Sequence, residues 1–183
     1  GAASVIRALE PRQWWEPAFV TSSSGYRRAL TALQESGQLW RRVYPGQRWQ
    51  LDGVSIDVLA PDSSWTAAQH DANETSVVLR VGYGRRRFLF MGDAEGDEEA
   101  WLLERLPAAA LQADVLKLGH HGSRTSSGAA FVRAVNPLVG LVSVGAGNRY
   151  RHPSPEVLER FAARQVPLLR SDREGSVVLS TNG

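Results

Sequence analysis

The chain is 183 residues long, 43% hydrophobic and 22% charged, the balance of one soluble globular domain with enough sequence to bury a core. Lys and Arg outnumber Asp and Glu by only 21 to 19, too slight an excess to argue for a nucleic-acid partner by itself. Cysteine is absent, which excludes disulfides and thiolate metal sites, and no apolar run approaches the roughly 20 residues that span a bilayer.

In chain order, Ala2 to Leu9 has helical apolar periodicity with no start signal before it, as in a domain cut from a longer chain. Trp14 to Val20 reads as a short loop and strand. Ser22, Ser23 and Ser24 offer N-caps for a helix from Tyr26 to Glu35, which Gly37 stops. Arg48–Leu51 and Val54–Leu59 are predicted strands joined by Asp52-Gly53, a strong hairpin signal. Pro61 to Glu74 reads as a polar loop. Ser76–Tyr83 and Arg87–Met91 form a second hairpin around Gly84, and Asp97–Leu106 a helix ended by Pro107.

The second half alternates: a strand at Asp114–Leu118, a helix at Ser127–Val135 and an apolar strand at Leu138–Val144. Ser154-Pro155-Glu156 then opens a helix to Arg164, with a capping hydroxyl, proline at the first position and an early acid. Leu168–Leu169 and Val177–Leu179 are expected to close the chain as a hairpin around Asp172–Gly175. No repeat or linker interrupts residues 1–183, so one α/β or α+β domain is expected.

Three segments carry chemistry. Leu116 to Ser126 (Leu-Lys-Leu-Gly-His-His-Gly-Ser-Arg-Thr-Ser) runs from an apolar strand into two imidazoles and a hydroxyl-rich turn. Imidazole is a common nitrogen ligand for divalent metals, and a strand end holds it rigidly. In extended backbone adjacent rings point apart, so one of His120 and His121 ligates and the other supports. Phe88 to Glu95 similarly runs out through Gly92 to Asp93, whose carboxylate suits a metal or, equally, the N-cap of the next helix. Gly147 to Pro155 packs Asn148, Arg149, Tyr150, Arg151 and His152 into one loop, which could grip phosphate, ligate through His152 or stack on a base. His70, the Arg85–Arg87 run and most of the six tryptophans read as surface, solvated turn and packing respectively.

Together and in order, these motifs resemble the C-terminal metallo-β-lactamase-like domain of ComEC-type DNA-uptake proteins. The matching segments are Gly92-Asp93-Ala94-Glu95, Leu116 to Ser126, Ser143 to Pro153 and Asp172 to Gly175. The resemblance covers about the whole chain, densest from Ser76 onward. It implies an αββα sandwich and a metal-dependent phosphodiesterase, a DNA nuclease degrading the non-transported strand during natural transformation. It implies Asp93, His120 and His121 as catalytic and metal-binding residues, with Mn or Zn as the cation and no small-molecule cofactor. Ser123, Arg124, Thr125, Asn148, Arg149, Tyr150 and His152 would take the substrate phosphate, the first three at a helix N-terminus. The partners implied are single-stranded DNA and a membrane-embedded channel part of the same polypeptide. The domain would lie on the outer face of the cytoplasmic membrane.

The sequence departs from that pattern in two places. The superfamily's His-x-His-x-Asp-His motif does not occur in it, and Gly1 to Ile6 resembles the stretch just downstream of that motif. The first strands of the fold are therefore expected to be missing, this chain to be inactive alone, and apolar surface around Trp14, Phe19 and Val20 to drive self-association. At the place of the isolated third-motif histidine stands Asn73-Glu74-Thr75-Ser76. A hydrolase of a small phosphoester or lactone, and a non-catalytic nucleic-acid-binding domain, remain as alternatives.

Overall fold

The computed structural model describes residues 2–17 and 19–183. Helix α1 (Ala2–Leu9) packs Ile6 against Ala29, Ala32 and Leu33 of α2 (Ser24–Ser36), and this pair forms a small core of its own. The serine run caps α2 as expected: Ser23 accepts the Tyr26 amide, and Gly37 ends the helix at φ 65°. Beside the helices, β1 (Gln13–Glu16) pairs in parallel with β2 (Leu39–Arg42). Strand β2 has no apolar alternation because all four of its residues are exposed, so the sequence offered no sign of it. Trp15 of β1 stacks on Trp49 of the main sheet, with ring centroids 4.2 Å apart.

The main sheet has seven strands in sequence order: β3 (Arg48–Leu51), β4 (Val54–Ala60), β5 (Val78–Tyr83), β6 (Arg86–Phe90), β7 (Val115–Lys117), β8 (Val139–Val142) and β9 (Leu168–Arg170). The first four are antiparallel, and β6 to β9 run parallel. Asp52 and Gly53 both take positive φ (48° and 81°) in the β3–β4 turn, which suits the twist of a two-residue hairpin. Parallel neighbours need crossovers, and helices supply them. They are α4 (Gly96–Arg105) and α5 (Ala108–Leu111), then α6 (Ala129–Val135), then α7 (Pro155–Ala163). Trp101, Leu102, Leu111, Phe131, Val132, Val157 and Phe161 from these helices bury against Leu89, Met91, Leu116, Leu118 and Val142. Among the described residues no helix is long and apolar enough to cross a membrane.

Two expectations about elements fail. The stretch after Pro61 is not a plain loop: Asp62 accepts the Trp65 amide at 2.7 Å and starts α3 (Ser63–Ala68), and a 3-10 turn follows at Asn73–Thr75. Its polar surface masked the helix. Nor do the described residues form the closing hairpin. Arg170 holds Asp172 through Nε and Nη2 at 3.0 and 2.6 Å, so Ser171–Glu174 coils into the single turn α8. Val178 is then left 82% exposed, outside any strand.

The tryptophans largely pack, as Trp65 does on Trp101, although Trp40 stays exposed. His70 is on the surface, and Arg87 is turned back onto the Gly84 carbonyl. Trp14, Phe19, Tyr26 and Leu33 line an apolar groove of about 330 Å³.

Candidate active site at the carboxyl ends of the parallel strands

Strand register brings the motifs together. Phe90 of β6 is the Cα partner of Lys117 of β7, so Asp93 and His120, each three residues further on, leave the sheet side by side. The ladder extends past the strands through the His120 amide, which donates to the Gly92 carbonyl at 3.2 Å. On the other side, continuing the β5–β6 register sets Ser76 opposite Asp93, and the Ser76 hydroxyl accepts the Asp93 amide at 2.9 Å. Gly92 sits at φ +57°, and a Cβ there would lie 2.9 Å from Ser76 Cβ. Glycine is therefore required both for the conformation and for the approach. Open parallel sheets gather ligand-binding groups at this end of their strands.

His120 and His121 are not extended; they occupy the left-handed region at φ 40° and 55°. The expectation that the rings point apart is thus replaced by a tight turn with ring centroids 6.3 Å apart. His121 Nδ1 donates to the Ser143 carbonyl at 2.6 Å, which orients the ring and sets Nε2 3.4 Å from Asp93 Oδ1. His120 Nδ1 is bonded to the Glu95 carboxylate. His152 completes a group of three imidazoles, 5.5 Å from the His120 ring. Burial, with repulsion from His120 and His121, holds its pKa below the ordinary histidine value, and its buried Nδ1 has no partner. Beside them the Lys117 Nζ donates to the Leu118 carbonyl at 2.6 Å; burial pulls its pKa down while Asp93 pushes it back up.

The remaining site candidates divide by what they bind within the chain. Asn148 is committed to its own loop, taking the His152 amide at 2.9 Å and giving to the His152 carbonyl at 2.8 Å. Tyr150 is 64% exposed, stacked on His152 at 5.8 Å, with the Arg149 guanidinium 4.7 Å from its ring centroid. His121, Ser143, Asn148, Tyr150, His152 and Ser171 line an open cavity of about 440 Å³. Ser123 is buried with its hydroxyl 2.8 Å from that of Thr125, while Arg124 and Thr125 face solvent.

The helix N-terminus assigned to Ser123, Arg124 and Thr125 lies further along the chain. Helix α6 starts at Ala129, and the Ser127 and Gly128 amides both donate to Glu99. Nor does Asp93 cap α4: Glu74 does so, accepting the Asp97 and Glu98 amides at 3.2 and 2.8 Å. Glu74, at the place of the missing third-motif histidine, is therefore a buried helix cap. Glu95 was within the Gly-Asp-Ala-Glu motif without a role of its own, and only the partner it meets reveals one.

As a metal centre the donors present are incomplete. Asp93 and an oriented His121 suit two ligand positions, but among the described residues no group of three or more His, Asp or Glu side chains is arranged to hold an ion. Two ligands fall short of the three or four that a transition metal needs, so the described residues do not by themselves fit one.

The pattern of the metallo-beta-lactamase superfamily matches residues 1–146, and the chain belongs to that superfamily. It is similar to ComE operon protein 3 of Bacillus subtilis (strain 168), 32% identical over 82% of this chain and 19% of that protein. It is also similar to competence protein ComA of Neisseria gonorrhoeae, 40% identical over 72% of this chain and 18% of that one. Recombination protein 2 of Haemophilus influenzae is 29% identical over 88% of this chain and 18% of its own length. The resemblance to ComEC-type competence proteins read from the motifs is thus met, with the chain spanning about a fifth of those relatives. Among solved structures, Zn(2+)-bound PqqB from Methylobacterium extorquens shares the fold: TM-score 0.51, 14% identity, 93% of this chain and 66% of that one.

Proposed function

We propose that this domain is the hydrolytic part of a competence protein, a metal-dependent nuclease that degrades the DNA strand not transported during uptake. The observation that carries the reading is the 3.4 Å approach of His121 Nε2 to Asp93 Oδ1, with the imidazole oriented by the Ser143 carbonyl. An oriented imidazole beside a carboxylate is half of a ligand set. The other half comes from elsewhere in a longer polypeptide, which also carries the membrane-embedded channel and holds this domain on the outer face. A divalent cation, Zn or Mn, held by Asp93, His121 and ligands from that longer polypeptide would supply Lewis acidity at a phosphate.

The chain's own groups do the rest. Arg124 and Thr125 reach the phosphate from the turn after the histidines, and Lys117 adds positive charge beside Asp93. Tyr150 and Arg149 offer a ring and a guanidinium to an unpaired base. His152, whose protonation burial disfavours, stands as a neutral ring at the cavity wall. The openness of that cavity and the exposure of Tyr150 favour a strand over a small lactone or phosphoester, which calls for an enclosed apolar pocket.

Cleavage of single-stranded DNA with Mn²⁺ or Zn²⁺ tests this. The 183-residue chain alone is expected to cleave weakly, and a longer polypeptide strongly, with loss in Asp93→Ala and His121→Ala. Strong cleavage by the chain alone, or cleavage indifferent to Asp93, overturns the reading. Faster turnover of a lactone or a nitrophenyl phosphate points to the small-molecule class, and DNA binding without cleavage to a binding module.

A further inference from the structure

The first turn of α4 carries two adjacent buried carboxylates that the chemistry above does not use, Glu98 and Glu99. They lean on opposite parts of the mouth. Glu98 is fully buried and accepts the Ser76 amide at 3.1 Å through Oε2, leaving Oε1 without a partner. Ser76 in turn accepts the Asp93 amide. Glu99 takes the Ser127 and Gly128 amides, while Arg160 grips the Ser126 and Ser127 carbonyls. Ser126 Oγ donates to the Gly119 carbonyl at 2.7 Å, closing the loop that bears both histidines and Ser123 to Thr125.

We propose that Glu98 and Glu99 are positioning residues: one helical turn holds the Asp93 turn through Ser76 and the Ser123–Ser127 loop directly, and so sets the spacing of the two halves of the site. A side chain whose two oxygens each accept an amide, as Glu99's do, is replaced by nothing apolar without leaving those donors unsatisfied. Consecutive residues on a helix point in different directions, which is what lets neighbours serve two loops. The unpartnered Oε1 of Glu98 fits this role: the side chain is kept for the single bond it makes. The functional part of the inference rests on the proposed site, but the mechanical part does not.

The experiment compares Ser76→Ala, Glu98→Leu, Glu98→Gln and Glu99→Gln in the 183-residue chain by residue-resolved amide exchange. Mn²⁺ broadening at Asp93 and His121, and titration with inorganic phosphate, are followed in parallel. Ser76→Ala is expected to speed exchange at the Asp93 amide and weaken the Mn²⁺ response about tenfold, the scale on which outer hydrogen bonds act on ligands. It should leave the phosphate response alone. Glu99→Gln keeps one acceptor but sets an NH₂ against the second amide. It should free Ser127 and Gly128 and weaken the phosphate response at Arg124 and Thr125, with Mn²⁺ unchanged. Glu98→Leu removes the acceptor of the Ser76 amide and should speed exchange at Ser76 and Asp93 and weaken the Mn²⁺ response, whereas Glu98→Gln still offers an oxygen to Ser76 and should change neither.

Uniformly faster exchange, reaching Leu79 and Val81 in β5, with both ligand responses lost together, would show a merely structural role and overturn the proposal. So would unchanged exchange at Asp93, Ser127 and Gly128. If the longer polypeptide responds to neither Mn²⁺ nor phosphate, the site reading fails, and local exchange in this chain alone decides the clamp.

Discussion

The segment from Asp93 to Glu99 puts carboxylates into two opposite environments. Asp93 is 44% exposed at the side chain and meets His121, and Glu95 beside it meets His120, both at the mouth. Three to six residues later Glu98 and Glu99 are buried, with Glu74 packed alongside, and they bind backbone amides. Asp93 is open to a ligand, whereas Glu95, 17% exposed, is already engaged by His120. The buried set is committed to the fold and unavailable to solvent. Acid content alone therefore says nothing about a site; which way each carboxylate faces decides it.

The sharpest way to break this contrast is Glu99→Leu against Asp93→Asn. Glu99→Leu leaves the buried Ser127 amide and the half-buried Gly128 amide without their acceptor and should lower stability by about 2–4 kcal/mol in urea unfolding. A loss under about 0.5 kcal/mol, the range of exposed positions, would put Glu99 in the same class as the mouth acids. Next in size is Gly92→Ala, which forces a side chain into positive φ and against Ser76. It should cost about 1–3 kcal/mol by the same measurement.

A third effect is in pH. Burial pushes Glu98 up to about 9 and Glu99 to about 7, from an ordinary value of 4.5. A carboxyl with a raised folded-state pKa keeps its full stabilising contribution below about 4.5 and loses it as pH rises through the folded value. Urea midpoints should therefore fall steadily between about pH 5 and pH 9. Glu98→Gln should flatten the upper part of that fall and exceed the parent chain at its alkaline end. A rising midpoint would mean these groups are ionised in the fold. The smallest effect belongs to Asp93→Asn, within about 0.5 kcal/mol in stability, as for exposed positions, but with the Mn²⁺ response lost.

The contrast also explains what could be read in advance. Strand ends running into Gly-Asp and Gly-His-His are local signals, and the parallel register of β6 and β7 delivered them to one place. The caps at Ser23 and Ser154 were likewise local. Glu74, Glu98 and Glu99 look in sequence like ordinary acids of a polar loop and a helix start, because the amides they bind are 22 to 29 residues away. Ser123 to Thr125 read as a helix N-terminus for the same reason, since nothing nearby in sequence announces that Glu99 takes the Ser127 and Gly128 amides ahead of a helix that starts at Ala129. Strand β2 escaped because exposed residues on both faces carry no period, and α8 because Asp172–Gly175 read as a hairpin turn, where a single helical turn with its Arg170–Asp172 pair stands instead.

The backbone at His120, His121 and Gly122 follows three left-handed steps in a row, at φ 40°, 55° and 79°. Each such step disfavours an L side chain by roughly 1–2 kcal/mol, and glycine escapes the penalty. Stability by itself would thus drift positions 120 and 121 towards glycine, extending the Gly119 and Gly122 already flanking them. Imidazoles that persist on a backbone better suited to glycine mark a place where the fold gives up robustness for chemistry.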